Sequence, residues 1–190
     1  MPGGKSFDVV TICGSLRKES HNGALIRALP ALAPAGMSFR AAPAYDGMPL
    51  YNWDIQNATG FPESVTQWSD AIRAAEAILI ASPEFNWSTP GPLKNAIDWA
   101  SRLKDQPFKN KPVALQSAAT GLLGGARMQH HLRQSLTALD ALLFGRPEVI
   151  VTFAAQKIEN GELKDEASRE MIKQQLAGFA AFAGRVGVNP

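Results

Sequence analysis

Three stretches of the chain, far apart in sequence, collect residues able to do chemistry. The first is Gly14-Ser15-Leu16-Arg17-Lys18-Glu19-Ser20-His21-Asn22, which joins a glycine, two hydroxyls, an amide and a guanidinium. Set before a helix N-terminus, such a loop holds a phosphate: backbone amides and the helix dipole favour the anion, and Arg17 and the hydroxyls add hydrogen bonds. The plainer reading of the same residues makes Ser20 or Asn22 an N-cap and Arg17 a solvated side chain. The loop lacks the lysine and following Ser or Thr of a P-loop, and after Gly14 the next glycine is Gly23. Neither Mg-nucleotide hydrolysis nor Rossmann-type dinucleotide binding is therefore the natural inference.

The second stretch runs from Ser82 through Pro83, Glu84, Phe85, Asn86 and Trp87 to Pro90, Gly91 and Trp99, and is the most distinctive in the chain. The third carries Ser117, Gly121, Gly124, Gly125 and Arg127. Other candidates are weak. His130 and His131 are adjacent, so on a helix they point about 100° apart and cannot share a metal as an i, i+4 pair could. Cys13 closes an apolar run and reads as a small core residue. The three histidines and many serines offer no convincing catalytic triad.

These stretches need elements to position them. Phe7 to Cys13 reads as a strand stopped by Gly14, and Leu25, Leu29 and Leu32 mark the buried stripe of a helix. Glu76 to Ser82 predicts a second strand of this kind, followed by a helical face at Leu93, Ile97 and Ala100. Lys111 to Ser117 predicts a third, followed by Met128, Leu132, Leu136, Leu139 and Leu143 at helical spacing. Met37 to Ala42 and Glu148 to Phe153 supply two more strands, with helical faces at Val65, Trp68 and Ile72 and at Ile172, Leu176 and Phe179. Five strands alternating with five helices predict an α/β domain with a doubly wound parallel sheet, spanning residues 1–190 as one unit. Pro43 to Phe61 is a long connection, and Asn160-Gly161 signals a turn.

Composition narrows the function classes. With 190 residues, 45% of them hydrophobic, the chain can bury a sizeable core. Nineteen basic against seventeen acidic residues leave +2, which supports neither a nucleic-acid face nor an acidic electron-carrier face. One cysteine excludes an internal disulfide and fits a cytoplasmic protein. No run approaches the roughly 20 apolar residues of a membrane span, and Met1 to Ser6 does not read as a secretory signal.

Pro83-Glu84-Phe85-Asn86, Ser88, Pro90-Gly91 and Leu93-Lys94-Asn95-Ala96-Ile97-Asp98-Trp99 resemble the signature of the NAD(P)H-dependent FMN reductases of flavodoxin-like fold, the group that includes chromate and quinone reductases. The first and third stretches are similar to that family's other two loops, so the resemblance covers most of residues 7 to 145. It implies a five-stranded, three-layer α/β/α sheet. Phe85 stands where the family usually has tyrosine, which removes a hydroxyl and its hydrogen bond.

By that resemblance Ser15, Arg17, Ser20, His21 and Asn22 would enclose the FMN phosphate, and Pro83, Glu84, Phe85 and Asn86 would follow the ribityl chain and the ring edge. Gly124 and Gly125 would let backbone approach the pyrimidine end, with Ser117 at the strand tip. Glu84 is read as orienting its loop and not as a catalytic acid, because the flavin itself accepts the hydride. Arg127, paired with Glu148, would help lock an oligomer, a dimer or tetramer. NADPH or NADH would be the transient co-substrate, and a quinone, flavin, chromate, azo dye or nitroaromatic the acceptor. Two other readings stand beside this one: a flavodoxin-type FMN carrier that passes single electrons, and an anion-binding regulatory module without a flavin.

Overall fold

The structure, a computed structural model, describes residues 7–186. β1 (Phe7–Cys13), β2 (Met37–Ala41), β3 (Ala77–Ala81) and β4 (Pro112–Ala118) are parallel neighbours in the order β2-β1-β3-β4. The position beyond β4 is shared by two short strands. β5 (Leu142–Leu143) pairs with Pro112 and Val113, and β6 (Val149–Val151) pairs with Gln116 to Ala118. Together they form one interrupted strand, so the sheet has the five positions and the flavodoxin-like 2-1-3-4-5 order.

Alternation along each strand divides the core between two faces. Val10, Ile12, Ile78, Ile80, Val113 and Leu115 pack under α3 (Glu63–Ala74), α4 (Gly91–Ala100) and α5 (Ala126–Thr137). Val9, Ala77, Leu79, Ala81 and Ala114 pack under α1 (His21–Leu32) and α7 (Glu166–Val186). The central strands β3 and β4 are buried throughout, as a sheet covered on both faces requires. Leu93 and Trp99 are core residues, wholly buried.

Three local readings are corrected. The leucine spacing that extends the fifth helix to Leu143 overshoots, because α5 stops at Thr137 and Asp140 turns left-handed at φ 55°. The reversal sends Leu143 into β5 beside Val113, where it keeps a half-buried place without being helical. The last strand of the parallel sheet is Val149–Val151, shorter than the apolar run Glu148 to Phe153 suggests, since Phe153 is already left-handed and heads α6 (Ala154–Lys157). The long connection after β2 contains its own helix, α2 (Trp53–Thr59), capped by the Asn52 side chain. Asn160-Gly161 turns as its sequence signals, joining β7 (Ile158–Glu159) to β8 (Glu162–Leu163) with φ of 49° and 78°. No helix among the described residues is long and apolar enough to cross a membrane.

Candidate functional site

The strand order reverses between β1 and β3, and in open parallel sheets ligands bind outside the carboxyl ends of the strands at such a switch point. The loops after β1, β3 and β4 meet there. Gly14 makes the closest approach: its amide donates to the Ala81 carbonyl at 2.8 Å, and a Cβ on it would lie 2.2 Å from Ser82 Oγ. Only glycine lets the two strand tips come this close.

Ser20 is the N-cap of α1, its hydroxyl accepting from the Gly23 amide at 2.9 Å. The first turn of that helix holds no acidic residue. Arg17 and Lys18 are exposed, and among the described residues neither guanidinium nor ammonium forms an ion pair. His21 reports the resulting field: burial first, then the charge of Arg17, holds its pKa below the usual histidine value. Cys13, Ser15, Arg17, Lys18, Ser20 and Tyr45 line part of a cavity of about 410 Å³ running toward β2, with the Tyr45 hydroxyl donating to the Cys13 carbonyl at 2.7 Å. Uncompensated cations, hydroxyls and a helix N-terminus make a donor set suited to a phosphate dianion.

Asn22 does a different job from the one its loop suggests. It is 2% exposed, and its amide donates to the Ala118 carbonyl at 3.0 Å while accepting from the Ala118 amide at 2.9 Å. Its side chain ties α1 to the tip of β4 and is not directed at an anion. Ser117 is likewise wholly buried, its hydroxyl accepting from Gln129 Nε2 at 3.0 Å.

In the loop after β3, Glu84 turns inward. Its carboxylate accepts from Arg127 Nε at 2.7 Å and Nη2 at 2.6 Å, and from the backbone amides of Arg127 and Met128 at 3.1 and 3.2 Å. It therefore caps the N-terminus of α5, which has no other side-chain cap, and binds the second loop to the third. The expected Arg127–Glu148 pair is absent: Arg127 takes Glu84, and Glu148 faces Arg133 at 3.6 Å. The signal for this was the position of Arg127 on the first turn of a helix, where an acidic partner from a neighbouring loop also satisfies free amides. His131 Nδ1 lies 3.0 Å from Ser88 Oγ, a second tie between the same two segments.

Pro83 leads into this loop half-buried, whereas Phe85 and Asn86 are exposed on its tip. Among the described residues the backbone amides of Asn86 and Trp87 donate to no backbone carbonyl. In the third loop, Gly124 and Gly125 are left-handed at φ 57° and 96°, and added Cβ atoms would lie 2.6 Å from Ile150 Cγ2 and 2.8 Å from Ser117 Cβ. The space these glycines leave is filled by the protein's own strands, so close packing of the loop on the sheet already accounts for them.

A family model described as NADPH-dependent FMN reductase matches residues 7–156. The chain is 44% identical over 186 residues to the quinone reductase of Escherichia coli (strain K12), covering 97% of this chain and 99% of the relative. It is 45% identical over 179 residues to an NAD(P)H-dependent FMN reductase of Pseudomonas aeruginosa, covering 94% and 96%. Among solved structures, FerB, a flavoenzyme NAD(P)H:(acceptor) oxidoreductase from Paracoccus denitrificans, superposes with a TM-score of 0.84 at 32% identity, covering 95% of this chain and 99% of that one.

Proposed function

The chain belongs to the NADPH-dependent FMN reductase family, and on that premise we propose that it uses NAD(P)H to reduce quinones through an FMN seated at the β1/β3 switch point. The observation that carries the reading is Arg17 and Lys18, without an ion pair among the described residues, beside an α1 whose first turn holds no acidic residue. Bound there, FMN would supply the hydride-accepting and electron-returning chemistry.

The protein's share is binding and orientation. Arg17 and the Ser15 hydroxyl hold the phosphate, and the Ser20 cap keeps the α1 amides aimed at it. Glu84 and Asn22 are positioning residues: one fixes the second loop to the third, the other fixes the first loop to the third. The Glu84 carboxylate is committed to Arg127 and two amides.

The exposed apolar residues Leu50, Trp53, Leu122, Leu123 and Phe153 support contact between copies of the chain, as a dimer or tetramer. Steady NADPH consumption with a naphthoquinone tests the function. Sustained turnover by FMN-loaded protein is the expected result, and a flavin-bound protein that does not turn over would favour the carrier.

A further inference from the structure

The loop after β3 contains a backbone feature that flavin binding does not by itself require. Phe85 and Ser88 exchange two backbone hydrogen bonds of 3.0 Å, closing a two-residue turn in which Asn86 (φ 48°) and Trp87 (φ 69°) are both left-handed. Such a turn is the natural place for Asn-Gly. Asparagine tolerates the left-handed region, but a bulky side chain there is strained.

Burial does not explain the tryptophan, which is 66% exposed. What holds it is Arg127, whose guanidinium lies 4.3 Å from the indole centroid. Arg127 is itself fixed by Glu84, so the ring is braced against the start of α5 and spans the second and third loops. A strained backbone that keeps a large flat ring in solvent, immobilised by a charged pair, is the arrangement expected where function and not folding selects the residue.

We infer that Trp87 recognises the electron acceptor: its indole is a fixed shelf on which a planar, electron-poor ring stacks, favouring quinones over compact anions. This rests on the reading that the neighbouring loops hold the flavin. Offset stacking gives a quinone ring an attraction that a small oxyanion cannot share. The brace to Arg127 means that little rotamer freedom is lost when the acceptor arrives.

Two variants separate recognition from architecture. Trp87→Gly supplies the residue the turn prefers and removes the ring, whereas Trp87→Phe keeps a ring. Calorimetry on oxidised, FMN-loaded protein with a water-soluble 1,4-naphthoquinone is expected to show about three- to tenfold weaker binding for Trp87→Gly. Recovery to within about twofold is expected for Trp87→Phe on the same stacking argument. The kcat/KM for the quinone should fall in parallel, with the KM for NADPH and the kcat/KM for ferricyanide held. The Tm of Trp87→Gly should equal or exceed that of the wild type. Unchanged quinone affinity in Trp87→Gly overturns the inference, as does a loss accompanied by a lower Tm and equally weakened FMN binding. Wild-type protein that fails to bind FMN would remove the flavin reading itself, a result distinguishable from either.

Discussion

Asn22 and Ala118 exchange two hydrogen bonds across 96 positions of sequence, tying the first turn of α1 to the tip of β4. Each bond replaces water on a buried group, so the pair sets the spacing between the first and third loops. Asn22→Ala should cost about 2–3 kcal/mol, roughly 1 kcal/mol per bond plus the penalty for leaving buried Ala118 groups unpaired. Urea unfolding measures this. FMN affinity should fall with it, although the Asn22 side chain is not aimed at the phosphate.

Glu84 and Arg127 make a second tie, with side chains 9% and 36% exposed. Glu84→Ala should destabilise the protein by roughly 2–3 kcal/mol, less than the loss of a fully buried pair because Arg127 is partly solvated. Glu84→Gln should keep part of that stability by still accepting from the α5 amides. The pH profile of kcat in Glu84→Gln should match the wild type, and a shifted profile would show the carboxyl exchanging a proton during turnover.

His21 offers a pH-dependent test. Its folded pKa lies below its ordinary value, so between the two the unfolded chain binds more protons and stability falls as pH drops through that window. Nuclear magnetic resonance titration of the imidazole should show its pKa rising in Arg17→Ala, because a positive neighbour is lost. It should also rise on FMN binding, because a dianion arrives. A pKa indifferent to FMN would place the phosphate elsewhere.

Gly14→Ala tests the switch point itself. With the new Cβ 2.2 Å from Ser82 Oγ, the tips of β1 and β3 must separate. A loss of about 1–3 kcal/mol is expected from overpacking. FMN binding should weaken more than in a control substitution at exposed, unconstrained Gly121.

The layered sheet was legible because its strands are short apolar runs between turn signals, and because Leu25, Leu29, Leu93 and Ile97 repeat at helical spacing. The phosphate loop was legible because its donors are contiguous. What escaped depends on contacts remote in sequence. Leu143 fits a helical stripe by spacing alone, and only pairing with Val113 makes it strand. Arg127 has two plausible acidic partners, and the choice of Glu84 follows from the inward turn after Pro83. Asn22 reads as a ligand beside Ser20 until Ala118 claims both ends of its amide. Gly124 and Gly125 signal close approach, but their type does not say to what; the structure answers with Ile150 and Ser117.

If the loop after β1 grips the phosphate of FMN, fluorescence titration of wild type and Arg17→Ala with FMN will show it. Wild type should bind saturably, and losing the guanidinium should weaken binding by about 1.5–3 kcal/mol, the range for a hydrogen bond to a charged group. The unfolding midpoint should not move, since Arg17 is exposed and forms no ion pair among the described residues. Equal affinity in the two proteins would place the phosphate away from Arg17, and no binding by the wild type would remove FMN from this site.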